Sequence, residues 1–554
     1  MTNKVFGIDL GTTYSCIAYV DEYGRPAVIT NADSQLTTPS VVLFDSATDV
    51  VVGANAKRQA RIRPDDVASL VKRHMGDGSW RFTVHDQEYS APAVASQVLR
   101  SLAADAQRAT GQAVRDVVIT VPAYFGDEER KATKLAGELA SLNVIDIINE
   151  PTAAAFAYGF AQEGGLAQTV LVYDLGGGTF DSTIITLAEK KISVIATAGD
   201  HELGGADWDD LLAQYLSQKF REQSPDAGDP LDDTYGAQDL ISDAENVKQS
   251  LTQRESVDTL VVYGGRANIT VTRQIFEELT SSLVERTIEI TQKVLATAEE
   301  KGVRAVDKVL LVGGMSKMPA VSCRLTEACP QLPQPELADP DLAVAKGAAI
   351  YGQKKELENF VISDLVAQGK LHAGQSLAEA NPVDLHKAVQ QTASQYGLTR
   401  TAVAELVQTE VSNVTSRGFG VIVLDANTQT DYVDFLAHAN DPLPITMTAT
   451  YYTTYDNQSA VQVQVVEQNT SAESPKPSDN KVIIEGVIPD IPSGFPKGTP
   501  VEVTFDMGRD QTIEVTARHA AVARPLVLRV DAGVSSSAMR TEEQKKVNLL
   551  KQNV

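Results

Sequence analysis

Cysteine is scarce: Cys16, Cys323 and Cys329 are the 3 cysteines of 554 residues. Three thiols without a CxxC spacing make neither a disulfide framework nor a cysteine-rich metal site, and a reducing compartment fits them best. Cations are also short, with 48 Lys and Arg against 73 Asp and Glu and a net charge of −25. That balance argues against bulk nucleic-acid binding, which needs clustered cations to displace counterions, and against docking on anionic lipid. A solvated acidic surface is its ordinary meaning. There is no run of about 18 apolar residues, so no membrane span is expected. The first residues lack a basic start followed by an apolar segment, so no secretory leader is expected and a cytoplasmic protein is. The chain has neither a G-x-x-x-x-G-K-[ST] loop nor a G-x-G-x-x-G placed before a helix.

Two short turns stand out instead: Asp9-Leu10-Gly11-Thr12-Thr13 and Asp174-Leu175-Gly176-Gly177-Gly178-Thr179. Each follows an apolar run, Val5 to Ile8 or Val170 to Tyr173, and precedes another β-rich run. The pattern predicts strand, tight turn, strand, twice. Glycines let backbone N–H groups approach an anion, threonines add hydroxyl donors, and an aspartate can hold a hydrated Mg²⁺ ion. A lone Asp-x-Gly turn is ordinarily just a hairpin. A matched pair predicts two related lobes gripping one polyphosphate from both sides.

Length predicts three or four domains at roughly 150 residues each, and 43% hydrophobic residues can fill large cores. From Val5 to about Tyr351, β-runs such as Asp116–Val121 and Lys308–Val312 alternate with helical patterns such as Glu128–Ala140 and Leu342–Tyr351, an α/β organisation. Residues 222–240, rich in Pro, Asp and Gly, read as a surface loop. Residues 356–412 read as a small helical insert or linker. Asn381-Pro382 starts a helix that Gly397 stops, and Thr399 caps a second one. From about Gly418, alternating runs at Gln462–Val466, Val501–Phe505, Thr512–Ala517 and Leu526–Val530 predict a β-sandwich of about 110 residues. The polar stretch Asn469–Asn480 reads as a mobile loop. From Ser535 one more helix is expected, with Thr541 and Gln544 as its capping box. The expected domains are therefore 1–355, 356–412, 413–533 and 534–554, the last a short helical remnant.

The turns and the domain order resemble the 70-kilodalton heat-shock (DnaK-type) chaperone family. Gly7 to Cys16 is similar to its first phosphate loop, Asp174 to Asp181 to its second, and Leu311-Val312-Gly313-Gly314 to its third. Val121 to Phe125, Ile148-Asn149-Glu150-Pro151-Thr152 and Pro340-Asp341 with Gly347-Ala348-Ala349 resemble further signatures of the nucleotide domain. Asp456 to Val461 and Val501 to Asp506 resemble its substrate-binding sandwich. The likeness covers roughly 1–355 and 413–533. It implies a two-lobed α/β, actin-like ATPase domain, an all-β peptide-binding sandwich, and slow hydrolysis of ATP to ADP with Mg²⁺. Sugar kinases and actin share the lobed core but lack the sandwich and the Asn149 to Thr152 run.

Several site assignments follow. Asp9 and Asp174 would orient Mg²⁺ through its waters. Gly11, Thr12, Thr13, Tyr14, Gly176, Gly177, Gly178, Gly313 and Gly314 would line the nucleotide. By resemblance, Lys72 positions the attacking water and Glu150 orients it. Thr179 touches the γ-phosphate, and Asp181 helps hold a monovalent cation such as K⁺ or the water network. Glu245 and Lys248 would bond the ribose and Thr252 the adenine edge, and Asp341 would close the pocket. Gln249 and Lys317 stand where some members stack adenine between two arginines. Neither has a planar guanidinium, so weaker nucleotide binding is expected. In the sandwich, Val461 would floor a pocket lined by Val421, Leu424, Tyr451 and Val463, with Thr454 arching over an extended apolar peptide.

Three departures bear on partners. Asp146 stands where the family has an arginine that meets its J-domain co-chaperone, and the inverted charge should repel such a partner. The run before Asn413 lacks the family's linker leucines, which puts ordinary interdomain signalling in doubt. About twenty residues follow the sandwich here, so a substrate-trapping lid is not expected and bound peptide should leave quickly. Unfolded or extended polypeptide is the expected partner. The rival reading is a nucleotide-responsive interaction protein with one dedicated partner and ATP as a structural ligand.

Overall fold

The computed structural model describes residues 4–552 apart from 161–166, 189, 373, 426, 471, 510 and 530–536. The apolar run Val5–Asp9 is a central strand, antiparallel to Tyr14–Val20 and parallel to Asp116–Val121. Asn143–Asn149 and Pro26–Val28 extend that sheet at either side. Gln168–Leu175 repeats the arrangement in a second sheet, antiparallel to Phe180–Ala188 and parallel to Lys308–Val312. Lys191–Asp200 and Glu336–Leu337 flank it. The two sheets share one strand order, and each glycine-rich turn joins the same two strands of its sheet. Both central strands are buried, as expected where helices cover the sheet faces.

The chain crosses between these lobes twice. Helix Glu150–Phe160 leaves the first sheet and packs on the second; Ala343–Ala367 leaves the second and packs on the first. The helices also pack on each other through Ala153, Ala154, Ala155, Ala345, Ala348 and Ala349, all buried. Small side chains set this distance: a Cβ at Gly347 would stand 1.7 Å from the Ala153 carbonyl oxygen. Helix Ala343–Ala367 runs through the expected join at 355 without a break.

Helices Pro382–Tyr396 and Arg400–Gln408 fold back on that helix. Their ends follow local chemistry. Asn381 caps the first through the Val383 N–H, and Gly397 ends it at φ 68°. The Thr399 hydroxyl accepts from the Ala402 N–H. Glu410–Ser412 then pairs in parallel with Lys191–Ser193 and adds an edge strand to the second lobe's sheet. No leucine is needed, because main-chain bonds make this pairing.

Beyond it stand two four-stranded sheets. One contains Phe419–Leu424, Asp431–Ala437, Val461–Gln468 and Asn480–Ile488; the other contains Ile445–Tyr452, Pro500–Met507, Ile513–His519 and Leu526–Arg529. Val465, Phe505, Val515 and Ala517 lie in the core between them. After Ser537–Leu549, a helix on the first lobe, Lys551–Gln552 pairs with Asp49 and Val50.

Three local expectations need correction. The loop expected at 222–240 is confined to 224–233, because Asp233 accepts from the Tyr235 and Gly236 N–H groups and starts helix Thr234–Leu251. The described part of 469–480 is tied down: the Val433 N–H donates to the Pro475 carbonyl, and Glu473 pairs with His438. Thr541 lies inside helix Ser537–Leu549 and does not cap it; the expected start at Ser535 lies outside the described residues.

Candidate nucleotide site between the lobes

A cleft of about 570 Å³ opens where the two glycine-rich turns face each other. Their contact is close: a Cβ at Gly177 would stand 1.9 Å from the Thr13 Oγ1. Each turn is braced from behind. The Gly11 N–H donates to Ser15 Oγ (3.1 Å), and Ser40 Oγ donates to the Gly11 carbonyl (2.7 Å). The Gly176 N–H donates to the Thr179 carbonyl (3.0 Å). The loop at Gly313 is pinned by the bond from its own N–H to the Pro340 carbonyl (2.8 Å).

Lys72 and Glu150 form a buried ion pair at 2.5 Å. Lys72 does not sit on an exposed helix; a short 3₁₀ turn, Val71–His74, carries it inward. Around the pair lie Asp9, Asp174 and Asp181, all buried or nearly so. Burial and the Glu150 charge push the Asp9 carboxyl up to about 7. Burial, then Glu150, raises Asp174 and Asp181 well above the usual carboxylate range. Asp181 Oδ2 accepts from the Ala123 N–H at 3.3 Å, whereas its Oδ1 has no hydrogen-bond partner among the described residues. Four carboxylates thus share one ammonium, and such a cluster fits a cation. Among the described residues no three His, Cys, Asp or Glu side chains are grouped to hold a metal directly. A hydrated Mg²⁺ ion held through its waters fits this donor set.

The opposite end of the cleft is polar. Glu245 Oε1 accepts from Lys57 Nζ (2.6 Å), Gln249 Nε2 (3.1 Å) and the Tyr14 hydroxyl (3.4 Å). Lys57 Nζ also donates to Tyr14 (3.0 Å), so this group ties the first lobe to the second. Lys248 is held by Asp209 (2.6 Å) and the Gly205 carbonyl (2.7 Å). Lys317 pairs with Asp341 across the mouth, and the Thr252 hydroxyl bonds the Gln249 carbonyl.

The cleft therefore brings together Asp9, Gly11, Thr12, Thr13, Tyr14, Lys72, Glu150, Asp174, Gly176, Gly177, Thr179, Glu245, Lys248, Gln249, Thr252, Gly313, Gly314, Lys317 and Asp341. Gly178 and Asp181 lie behind this lining. Gly178 gives its carbonyl to Arg73 Nε. Lys57 and Asp209 were missed by sequence reasoning. Lys57 stands in an unremarked helix 188 residues from its partner Glu245, so no local signal could have found it.

A family model described as Hsp70 protein matches residues 5–84 and 78–369. The chain is also 33% identical to the chaperone protein DnaK of Halobacterium salinarum over 552 residues, 98% of this chain and 77% of that protein. The chain belongs to the Hsp70 family. Its architecture is accordingly an actin-like nucleotide domain followed by a β-sandwich.

In this Hsp70 the sandwich rests on both lobes. On the first lobe, Ser416 Oγ donates to the Phe125 carbonyl (3.3 Å), and Lys481 pairs with Glu128. Arg417 lies between Glu129 (3.3 Å) and Glu467 (3.5 Å). On the second, the Thr197 N–H donates to Asn440 Oδ1 (2.7 Å). Within the sandwich, Val421 and Val463 are buried in the core, and Val461 and Tyr451 pack half-buried against it. Leu424 is exposed at the end of strand Phe419–Leu424, and Thr454 is exposed just past strand Ile445–Tyr452 of the other sheet. Thr454 bonds Gln458, and the Tyr451 hydroxyl donates to Asp434 (2.8 Å). Asp146 is not a free charge: it accepts from the Tyr351 hydroxyl (2.8 Å) and pairs with Lys355 (2.9 Å). Among the described residues no helix is long and apolar enough to cross a membrane.

Proposed function

We propose that this Hsp70 is an ATP-dependent chaperone that binds and slowly hydrolyses Mg-ATP and takes extended apolar peptide segments into its sandwich. The observation that carries this reading is the buried Lys72–Glu150 pair lying among Asp9, Asp174 and Asp181 beneath two facing glycine-rich turns. Phosphoryl transfer to water needs charge neutralisation, an oriented nucleophile and an in-line leaving group. The turns at Thr12–Thr13 and Gly176–Gly177 cradle the phosphates, and Thr179 meets the terminal one. Lys72 donates to the attacking water and holds it in line. Glu150, itself oriented by Lys72, accepts a hydrogen from that water. Asp9 and Asp174 would hold Mg²⁺ through its waters, and the ion would supply neutralisation of the phosphate charge. Asp181, whose Oδ1 has no hydrogen-bond partner among the described residues, fits a role in holding K⁺ or an ordered water.

By family resemblance, peptide binding is assigned to Val421, Leu424, Tyr451, Thr454, Val461 and Val463, of which Val421 and Val463 lie in the core and Leu424 and Thr454 are exposed. An apolar slot with a flanking main-chain edge takes extended segments. A second reading, an interaction protein for which ATP is a structural ligand, draws on Asp146. Its carboxylate is tied to Tyr351 and Lys355, where the family presents a cation to the J-domain. A J-domain partner is therefore doubtful on either reading.

Single-turnover hydrolysis, with and without an extended apolar peptide, tests the proposal. Lys72→Ala should lower the rate at least about 100-fold, the size of effect seen when a positioned donor is lost, and peptide should change the parent's rate. Hydrolysis indifferent to both removes the chaperone reading.

A further inference from the structure

One side of the sandwich is bounded by the edge strands of its two sheets, Asp431–Ala437 and Ile445–Tyr452, which pack against each other. Side chains alternate between the faces of a strand, so cross-strand partners show which of them point inward. Asp434 lies opposite Val421 and Tyr432 opposite Val423; Val421 is in the core and Val423 packs on it. Tyr451 lies opposite Val501, also of the core. Asp434, Tyr432 and Tyr451 therefore all face the space between the sheets, at its rim. Asp434 is half-buried there. Its Oδ2 accepts from the Tyr451 hydroxyl at 2.8 Å, and among the described residues no lysine or arginine pairs with it. His438, whose charge Asp434 favours, is bonded to Glu473 (2.9 Å) instead. Burial, then the bond and charge of Asp434, pushes the Tyr451 phenol above its ordinary range, and Tyr432 is close enough to add to the shift. Tyr451 thus stays the donor. Tyr432 is exposed, so the group can be reached from solvent.

We propose that Asp434 is a specificity-determining residue of the sandwich, an inference that rests on the peptide-binding reading above. Its carboxylate, beside Tyr432 and Tyr451, selects extended segments that bring an arginine or lysine to this rim among apolar neighbours. A leucine seated here would strip water from Asp434 and leave it buried without a cation, which is costly. An arginine or lysine instead pairs with the oxygen that Tyr451 leaves open, and tyrosine faces attract a cation further. Rejection of the apolar side chain thus counts as much as attraction of the charged one. A glutamate would meet a like charge. An inward carboxylate on an edge strand also discourages pairing with other strand edges, but that role alone would not alter which peptide binds.

Fluorescence anisotropy with the full chain and three synthetic peptides tests this. The peptides share one short apolar frame and differ only at the central residue, which is arginine, leucine or glutamate. The arginine peptide should bind at least about tenfold more tightly than the leucine one, the size expected of a hydrogen bond to a charged group. The glutamate peptide should bind more weakly than both. Asp434→Asn keeps the shape and an acceptor for Tyr451, and should bring the arginine and leucine affinities within about twofold of each other. Asp434→Lys should reverse the order and favour glutamate. Each preference is a ratio measured within one protein, so a lower folded fraction in a variant cancels. Leucine binding as tight as arginine in the parent, an arginine preference that survives Asp434→Asn, or glutamate still rejected by Asp434→Lys overturns the inference while leaving the sandwich a peptide binder. No binding of any peptide by the parent overturns the peptide-binding reading and this inference with it.

Discussion

Glu467 stands where the sandwich meets helix Asp127–Leu139, and replacing it with glutamine should make the protein more stable. Its side chain is 2% exposed, and its Oε1 has no hydrogen-bond partner among the described residues. Glu129, Asp127 and Glu128 face it from the helix, with Arg417 on the other side. Burial, aided by those three carboxylates, raises its carboxyl from 4.5 to about 7 despite Arg417. The folded chain therefore keeps a proton that the unfolded chain has released. Stability from this group is present below about 4.5 and lost as pH rises through about 7. That interval corresponds to roughly 3 kcal/mol, at about 1.4 kcal/mol per pH unit. Glu467→Gln keeps the shape and removes the ionisation. At pH 8 the variant should exceed the parent by about 2–3 kcal/mol, and near pH 4.5 the two should agree within about 0.5 kcal/mol. Urea unfolding at pH 4.5, 6 and 8, followed by sandwich and nucleotide-domain probes separately, measures this. A variant no more stable than the parent at pH 8, or a difference that does not change with pH, refutes the reasoning.

Other residues give equally definite expectations. Glu150→Gln should retain Mg-ATP binding in calorimetry yet slow single-turnover hydrolysis about 100-fold, because in the proposed mechanism it removes a group that orients water rather than one that cradles phosphate. Lys317→Arg should tighten ATP binding about two- to fivefold in equilibrium titration, since a planar guanidinium stacking on adenine is worth about 0.5–1 kcal/mol. Gly347→Ala forces a Cβ against the Ala153 carbonyl at 1.7 Å. It should lower the thermal midpoint of the nucleotide domain, at a cost of about 1–3 kcal/mol from overpacking at the helix crossing.

What could be read in advance was what local chemistry dictates. The paired glycine-rich turns and their strand-turn-strand settings were legible because apolar runs flank a fixed order of aspartate, glycine and threonine. The insert's helices were legible because Asn381, Pro382, Gly397 and Thr399 are caps that act over one turn. Long-range pairing left no such trace. Lys57 meets Glu245 only because two lobes close on each other. Glu410–Ser412 docks by main-chain bonds, which no side-chain pattern announces. The composition of 222–240 suggested a loop, yet one aspartate cap at Asp233 was enough to start a helix inside it. Thr541 had the spacing of a capping box, but the helix begins earlier and the docked face of the first lobe decides its course.

Isothermal calorimetry of the full chain with ATP, with and without Mg²⁺, tests the central claim most directly. A magnesium-dependent heat of binding, greatly reduced in Asp9→Asn/Asp174→Asn and kept in Lys72→Ala, is the expected result. Equal binding with and without the metal, or no binding at all, would contradict a cleft built by paired acidic turns to hold a metal-bound triphosphate.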